Sequence, residues 1–293
     1  MSGKNIKAMT MVRNDRFLPK WVEYYGSRLG RGNLYVFFDG EDQVAPDFCA
    51  GVNTRVLPKM QGDVVATDRQ RSRFMSEFAA KLFADGADMV IATDADEFLV
   101  PDPATGKDLR EFLSALPDHP CHSGLGVDVL QQIDSEGPVD FSRPFLEQRK
   151  RGWLYSRYTK PSVITRPLTW GGGYHRVKGT NFHIAKDLYL FHFGGVDRES
   201  LRQISADTTR VDNGWTRHQQ KRQRAVERIS RVKARAWEKT VDLVRLMQTI
   251  CRPVFAPNKP TTFGLRFVVR IPERFKDLVS ARETGSCIIR KHR

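Results

Sequence analysis

The order of apolar and polar positions along the first third of the chain predicts alternating strands and helices. Continuous apolar runs that are typical of buried strands lie at residues 6–12, 34–38, 52–57 and 89–93. Apolar side chains at helical spacing lie at residues 17–29, 69–84 and 108–116. Strands of this kind, separated by helices, favour an α/β fold with a mixed, mostly parallel sheet that helices cover on both faces.

The pattern changes twice further along the chain. Residues 124–192 contain shorter strand-like pieces, separated by Gly, Pro and Asp, and from Gly194 to about Met247 the pattern becomes helical and basic. Prolines at 253, 257 and 260 then interrupt it. We therefore predict a substrate-binding catalytic domain over residues 1–195 and a basic, mainly helical extension over residues 196–293.

Basic charge is concentrated in this extension. The chain has 48 basic and 34 acidic side chains, a net charge of +14. Residues 1–192 hold 25 basic and 24 acidic side chains, whereas residues 193–293 hold 23 and 10. Such a basic region predicts contact with an anionic surface, which leaves nucleic acid, membrane and acidic glycan open. The alternative is a solvated helix face.

One stretch of the extension sharpens this choice. Within residues 217–250, apolar side chains recur every three to five positions, with arginines and lysines between them. The apolar stripe consists of Val226, Ile229, Val232, Trp237, Val241 and Val244. The pattern fits a peripheral helix on an anionic membrane or a helix that packs on the catalytic body.

Composition excludes several classes of protein. Hydrophobic residues make up 40% and charged residues 28%, which excludes a disordered chain, and no apolar run reaches the ~18 residues of a membrane helix. The N-terminus lacks the apolar core of a signal peptide. Four widely spaced cysteines, Cys49, Cys121, Cys251 and Cys287, form no C-x-x-C motif. We expect free thiols and a cytoplasmic protein, with peripheral contact at the inner membrane face.

The clearest chemical signal is Asp94-Ala95-Asp96-Glu97, which directly follows the apolar run at 89–93. In extended chain, Asp94 and Asp96 point to the same side. Two close carboxylates repel each other unless a cation lies between them, and oxygen ligands select Mg²⁺ or Mn²⁺, which commonly bridge to substrate phosphates. Because ligands bind beyond the carboxyl ends of strands in open α/β sheets, we predict a divalent cation site here.

Polar side chains near other predicted strands extend this site. Asn14 and Asp39 follow the first two strands, where they can contact a base or a ribose, although Asp39-Gly40 is also an ordinary turn signal. Arg71 and Arg73 begin the helix before the aspartates and can bind phosphate, or form a solvated helix start.

Two histidines and a lysine lie further along. His192 ends an apolar strand before two glycines, so it can complete a metal site, contact a diphosphate or be a structural imidazole. His175 follows a glycine run suited to a substrate loop, and Lys160 begins KPSVITRP. Phosphate-loop, G-x-G-x-x-G, G-x-S-x-G and H-E-x-x-H motifs are absent from the sequence.

Taken together, these segments resemble a known family. MVRND, WVEYY, VFFDG and ATDADEFLVPDP, in this order, are similar to the family 2-like glycosyltransferases of the GT-A fold, in particular to the group related to family 92. KPSVITRP, GGGYH and LFHFGG resemble later blocks of that group. The resemblance covers about residues 5–195, and it departs at Asp15, where the family usually has Glu.

The resemblance implies a glycosyltransferase that uses a nucleotide-sugar donor, usually a UDP-sugar, together with Mn²⁺ or Mg²⁺. By position, Asp94, Asp96 and His192 would hold the metal and the donor diphosphate, and Glu97 would support them or face the sugar. Asn14 and Asp39 would lie near the nucleoside. The acceptor would be a glycan or a lipid-linked molecule.

An inverting reaction would also need a general base for the acceptor hydroxyl. The sequence offers four candidates, of which we favour His175. They are Asp128, Glu147, His175 and Asp187.

Two other functions remain as alternatives. A sugar-phosphate nucleotidyltransferase shares the fold, but its Gly-rich N-terminal signature is absent from the sequence. A nucleic-acid-binding protein would use the basic extension and would leave the strand-end carboxylates unexplained, so no specific nucleic acid is expected.

Overall fold

A computed structural model describes residues 3–13, 16–196, 227, 229, 231–256 and 258–279. In these ranges the chain forms one large sheet with helices packed against it. The strands are β1 (Ile6–Val12), β2 (Leu34–Asp39), β3 (Asn53–Leu57), β4 (Met89–Ala92), β5 (Glu97–Pro101), β6 (Cys121–Leu130), β7 (Arg151–Leu154), β8 (Val163–Ile164), β9 (His183–His192) and β10 (Val268–Arg270). The α-helices are α1 (Leu18–Leu29), α2 (Val64–Ala84), α3 (Leu109–Ser114), α4 (Phe145–Gln148) and α5 (Trp237–Ile250). The predicted α/β class is confirmed.

The first half of the sheet is parallel, in the order β3-β2-β1-β4. The chain moves from β1 to β2 in one direction and from β3 to β4 in the other, so right-handed connections place α1 and α2 on opposite faces. Side chains along β2 agree with this, because Phe37 packs edge-on against Phe74 of α2 at 4.8 Å, whereas Leu34 faces Gly26 of α1. This arrangement brings the carboxyl ends of β1, β2 and β4 to one edge.

Helix α2 begins at Val64, five residues before the predicted start at residue 69. The reason is an N-cap that the apolar spacing does not show. The Asp63 carboxylate accepts a hydrogen bond from the Ala66 amide at 2.8 Å, which satisfies one of the free N–H groups at the helix start.

The second half of the sheet is mixed. Strand β8 pairs antiparallel with β4 and β6, and β9 lies between β6, to which it is parallel, and β5, to which it is antiparallel. The sequence pattern did not predict β5 or β7. Strand β5 follows β4 after only four residues, so its apolar run reads as a continuation of the aspartate segment rather than as a strand of its own.

The described part of the C-terminal extension packs onto this sheet. Trp237 lies 4.9 Å from Tyr189 of β9 and 5.2 Å from Phe275, measured between ring centroids. Strand β10 pairs antiparallel with β7 and so belongs to the same sheet. Trp237, Val241 and Val244, from the predicted apolar stripe, are buried, which favours the packed helix over the membrane helix for this face. Residues 197–226, the first part of the basic helical region predicted from Gly194 to about Met247, lie outside the described residues.

Other sequence predictions can be compared directly with these ranges. Cys49, Cys121 and Cys251 are free thiols, as expected, whereas Cys287 lies outside the described residues. None of the described helices combines the length and the apolar content that a bilayer crossing requires.

A buried histidine beside a partly exposed one makes the fold sensitive to acid. His122 is fully buried, and its Nδ1 lies 3.2 Å from Nδ1 of His183. Burial lowers the pKa of His122 from 6.5 to about 4, and the neighbouring His183 and His119 add to this shift. His122 is therefore neutral in the folded protein at pH values where the unfolded chain binds a proton.

We expect the free energy of unfolding to fall as the pH drops from 6.5 towards 4, because only the unfolded state gains the His122 proton there. His122 contributes about 2 kcal/mol between pH 8 and pH 5. Urea unfolding at both pH values should show a shallower acid dependence for His122→Gln than for the wild type. His119→Gln is the control, because His119 is an exposed neighbour of His122. This variant should keep most of the pH dependence of wild-type stability. Equal slopes for His122→Gln and wild type would contradict this assignment.

Candidate active site

Strand register brings three polar side chains together on one face of the sheet. Glu97 of β5 lies opposite His192 of β9, and His192 lies opposite Asp128 of β6. Directly paired residues on neighbouring strands point to the same face. His192, the last residue of β9, therefore has a carboxyl group on each neighbouring strand. It also lies beside the turn that carries Asp96.

His192 is held by contacts on both ring nitrogens and on one ring face. Its Nδ1 lies 2.6 Å from Asp128 Oδ1, and its Nε2 lies 3.3 Å from Asp96 Oδ2. The Tyr158 ring stacks on the imidazole at 3.8 Å between centroids. In the neutral ring, Nδ1–H donates to Asp128, and the Nε2 lone pair then faces Asp96. A carboxylate behind an imidazole in this way is typical of a metal-binding histidine.

Asp96, Glu97 and His192 form a group that could hold a metal ion. Each offers one ligand atom, and these atoms all lie within 4.8 Å of one another. Gly194 lies against the group, because a Cβ at this position would overlap Asp96 Oδ2 and come within 2.9 Å of His192 Nε2. The backbone here is fixed, since the Phe193 amide donates to the Asp96 carbonyl at 2.9 Å. The absent side chain of Gly194 therefore keeps the ligand atoms accessible to an ion.

Asp94 has different partners from Asp96. Its carboxylate accepts hydrogen bonds from Arg71 of α2 and, at 2.9 Å, from Lys160, while Lys160 Nζ also lies 2.6 Å from Glu97 Oε1. The antiparallel pairing of β4 and β8 produces this contact, because Ile91 pairs with Val163, and continuing that register places Asp94 opposite Lys160. Lys160 therefore joins Asp94 to Glu97.

The charged groups of this site shift one another's pKa values. Burial alone would raise the pKa of Asp94, but Arg71 and Lys160 outweigh it and hold this pKa well below its usual range. Burial raises the pKa of Glu97 to about 7, although Lys160 opposes the shift. Burial would also lower the pKa of Lys160, but Asp94 and Glu97 raise it above its usual value. Asp94 and Lys160 are thus charged at neutral pH, and Glu97 is the group that titrates there.

The residues that were predicted to contact the nucleoside or to bind phosphate lie in different places. Asn14 is outside the described residues. Asp39, at the end of β2, accepts a hydrogen bond from the Met60 amide at 2.8 Å and so fixes the loop after β3. Arg73 is exposed, and it lies beside Pro167 and Leu168 rather than beside Asp94, because two residues along a helix turn the side chain by about 200°. Of the two predicted arginines, Arg71 is the one that contacts the site.

The loop that carries His175 closes one side of the site. Tyr174 OH accepts a hydrogen bond from Arg71 Nε at 3.2 Å, and His175 Nδ1 lies 2.9 Å from the Arg157 carbonyl oxygen. Burial lowers the pKa of His175 to about 3, and the Lys160 cation adds to this shift. A base with so low a pKa has little driving force to take a proton from a hydroxyl group. The general-base role of His175 stays a prediction.

The other predicted bases have partners of their own. Asp128 is engaged with His192, and Glu147 lies 3.3 Å from Arg143. Asp187 lies in the middle of β9, where its backbone carbonyl accepts a hydrogen bond from the Asp102 amide at 2.7 Å.

Sequence reasoning missed the aromatic side chains of α1 that support β5. The Tyr25 hydroxyl accepts from the Leu99 amide at 2.9 Å, and the Tyr24 hydroxyl donates to the Leu99 carbonyl at 2.8 Å. Trp21 Nε1 donates to Thr93 Oγ1 at 2.9 Å. The two tyrosine bonds satisfy backbone groups of β5 on the edge that faces away from β9. A run of aromatic residues with polar tips was the available signal, but the sequence does not show which strand they meet.

Removal of the Tyr25 hydroxyl should weaken this support. In Tyr25→Phe the buried Leu99 amide loses its partner, so the free energy of unfolding should fall by about 1–3 kcal/mol. Tyr35→Phe is the matched control, because Tyr35 is half-buried against Phe78, and it should change stability by less than about 0.5 kcal/mol. Denaturant unfolding measures both variants. If the two lose the same stability, the hydroxyl bond does not support β5.

Comparison with known proteins gives a structural match but no sequence match. No family model matches this chain, and no curated protein sequence matches it. Among solved structures, the chain is similar to mannose-1-phosphate geranyltransferase from Thermus thermophilus, with 13% identity and a TM-score of 0.30. The match covers 91% of this chain and 73% of that one. Similarity at this level shows neither the family nor the function of this chain.

Proposed function

We propose that this protein is a metal-dependent glycosyltransferase, which moves a sugar from a nucleotide-diphosphate sugar, with UDP as the expected nucleotide, to a glycan or lipid-linked acceptor. The observation that supports it is the convergence of Asp96, Glu97 and His192, whose ligand atoms lie within 4.8 Å of one another. This group lies just beyond the carboxyl end of β4, where open α/β sheets bind their ligands.

The donor set fits a divalent cation of intermediate hardness. Two carboxylates and one imidazole suit Mn²⁺, and Mg²⁺ is the alternative that oxygen ligands also accept. Asp96, Glu97 and His192 would hold the ion, with Asp128 orienting His192 from behind. When bound, such an ion acts as a Lewis acid that neutralises the charge developing on the leaving diphosphate.

Net charge explains why the donor would require the cation. Four carboxyl groups, Asp94, Asp96, Glu97 and Asp128, face two permanent cations, Arg71 and Lys160. A diphosphate that approaches this group in the absence of metal would meet net negative charge. Arg71 and Lys160 hold Asp94 ionised and in place, so in this proposal Asp94 is the oriented acceptor for hydrogen-bond donors of the nucleotide sugar, and the other carboxylates are left for the ion.

Metal binding tests this division of roles. Calorimetry with Mn²⁺ and UDP should show at least tenfold weaker metal affinity for Asp96→Asn and His192→Ala, because each removes a ligand. Asp128→Asn should weaken it by about 10–100-fold, because it removes the group that orients the imidazole. Asp118→Asn and His119→Ala are controls at exposed positions and should bind as the wild type does. Unchanged Mn²⁺ affinity in both ligand variants would remove the metal site from this proposal.

The reaction itself needs a separate test. Purified protein should be incubated with a panel of nucleotide-diphosphate sugars, with and without Mn²⁺, and release of the nucleoside diphosphate measured. We expect slow, Mn²⁺-dependent hydrolysis of one donor, abolished in Asp96→Asn. A parallel reaction with pyrophosphate tests the alternative function, a sugar-phosphate nucleotidyltransferase. Such an enzyme would convert the nucleotide sugar and pyrophosphate into a nucleoside triphosphate and a sugar 1-phosphate. That product pattern would replace glycosyl transfer with nucleotidyl transfer.

A further inference from the structure

Exposed apolar side chains are concentrated in one segment far along the chain. Among the described residues, seven of the ten large hydrophobic side chains that are exposed lie between residues 243 and 265. We call them the apolar face, which consists of Leu243, Leu246, Ile250, Val254, Phe255, Phe263 and Leu265. Val254 is 97% exposed and Phe255 is 91% exposed, so these side chains make almost no contact with the rest of the described chain.

Helix α5 contributes to this face with the side opposite to its packed side. Trp237, Val241 and Val244 are buried towards the sheet, whereas Leu243, Leu246 and Ile250 are exposed. At 100° per residue, the first set is centred roughly half a turn from the second. The helix is thus apolar on two sides, of which one packs on the sheet and the other is exposed among the described residues. An isolated exposed leucine needs no explanation, but seven large apolar side chains exposed within 23 residues are typical of an interaction surface.

The loop after α5 holds its apolar side chains outwards in a defined shape. The Thr261 amide donates to the Cys251 carbonyl at 3.1 Å and closes the base of the loop. A second turn is closed by the Leu265 amide and the Thr262 carbonyl at 3.0 Å. At its tip Phe263 has φ of 49°, a left-handed backbone that a bulky residue rarely adopts, and its ring is 69% exposed. Strain at a position whose side chain is largely exposed points to a use outside the fold.

The segment that carries the apolar face is basic. Residues 243–266 contain four basic side chains, Arg245, Arg252, Lys259 and Arg266, and no Asp or Glu. Arg245 is paired with Asp242 at 2.5 Å, and Arg266 is exposed. Exposed apolar side chains with cations beside them fit the surface of an anionic bilayer. The apolar side chains would enter the acyl region, and the cations would contact the anionic headgroups.

This segment also borders the candidate active site. Asn258 Nδ2 donates to the Val177 carbonyl at 2.8 Å, two residues from His175. Lys259 is close enough to Arg176 and Arg157 that these cations, after burial itself, lower its pKa. Arg157 directly precedes Tyr158, which stacks on His192. A surface on which the apolar face rests would therefore lie beside the loop that closes the site.

We infer that the apolar face is a membrane-docking surface, on which Val254, Phe255, Phe263 and Leu265 insert into the acyl boundary of an anionic bilayer while Lys259 and Arg266 contact lipid headgroups. The docking surface stands independently of the catalytic chemistry. The further step, that the acceptor is carried by a lipid and reaches the site from the bilayer, rests on the proposed function.

Vesicle co-sedimentation tests the docking surface with the full chain in an Asp96→Asn background, which removes any contribution from catalysis. Vesicles of phosphatidylcholine with 30% phosphatidylglycerol should bind this protein in 0.1 M NaCl and release most of it in 0.5 M NaCl, because salt screens the headgroup attraction. Phe255→Ser/Phe263→Ser should weaken binding at least tenfold. The matched control is Val44→Ser/Val65→Ser, which removes two exposed apolar side chains elsewhere and should bind as the parent does.

A thermal melt verifies that each variant is folded, and light scattering reports its mass. Parent-like binding by the folded Phe255→Ser/Phe263→Ser variant would overturn the assignment, and so would absence of binding to anionic vesicles in 0.1 M NaCl. A dimer that dissociates in this variant, without vesicle binding, would show instead that the face joins two copies of the chain. Absence of donor hydrolysis by the wild-type protein, with vesicle binding of the Asp96→Asn protein intact, would count against the catalytic proposal alone.

Discussion

The buried ammonium of Lys160 between Asp94 and Glu97 is the contact on which the site depends. Lys160 is 3% exposed, and a charge so far from water is stable only with partners of opposite sign. Its two contacts tie the turn after β4 to the residues before β8. Without this cation, Asp94 and Glu97 would lose the positive charge between them, and carboxylates so close together would repel one another.

The sequence predicted the parts of this arrangement that are local. Apolar runs located β1, β2 and β4, and two aspartates after a strand indicated a cation site. Only the family resemblance grouped His192 with those aspartates, because Glu97 and His192 meet through the register of β5 and β9 across 95 residues of chain, which apolar spacing does not specify. Asp128 could be proposed only as one of four bases. Its place behind His192 depends on the pairing of β6 with β9, which periodicity does not specify.

Helix α5 shows a second limit of sequence reasoning. The stripe of Trp237, Val241 and Val244 was visible in the sequence, but whether it packed on the protein or on another surface was not. The structure assigns it to the protein interior, which leaves Leu243, Leu246 and Ile250 on the opposite side. In a helix with two apolar sides, the side that the fold does not use becomes evident only when the packed side is known.

The packing of Trp237 and Phe275 on β9 has a consequence for synthesis of the chain. Tyr189 and Phe191, on the strand that ends at His192, are covered by residues that lie 45 or more positions later. A nascent chain that has just emerged as far as β9 would expose those rings to water and to other chains. Cotranslational folding can therefore complete the parallel half of the sheet early, but it cannot complete the packing of the His192 strand until Phe275 has left the ribosome.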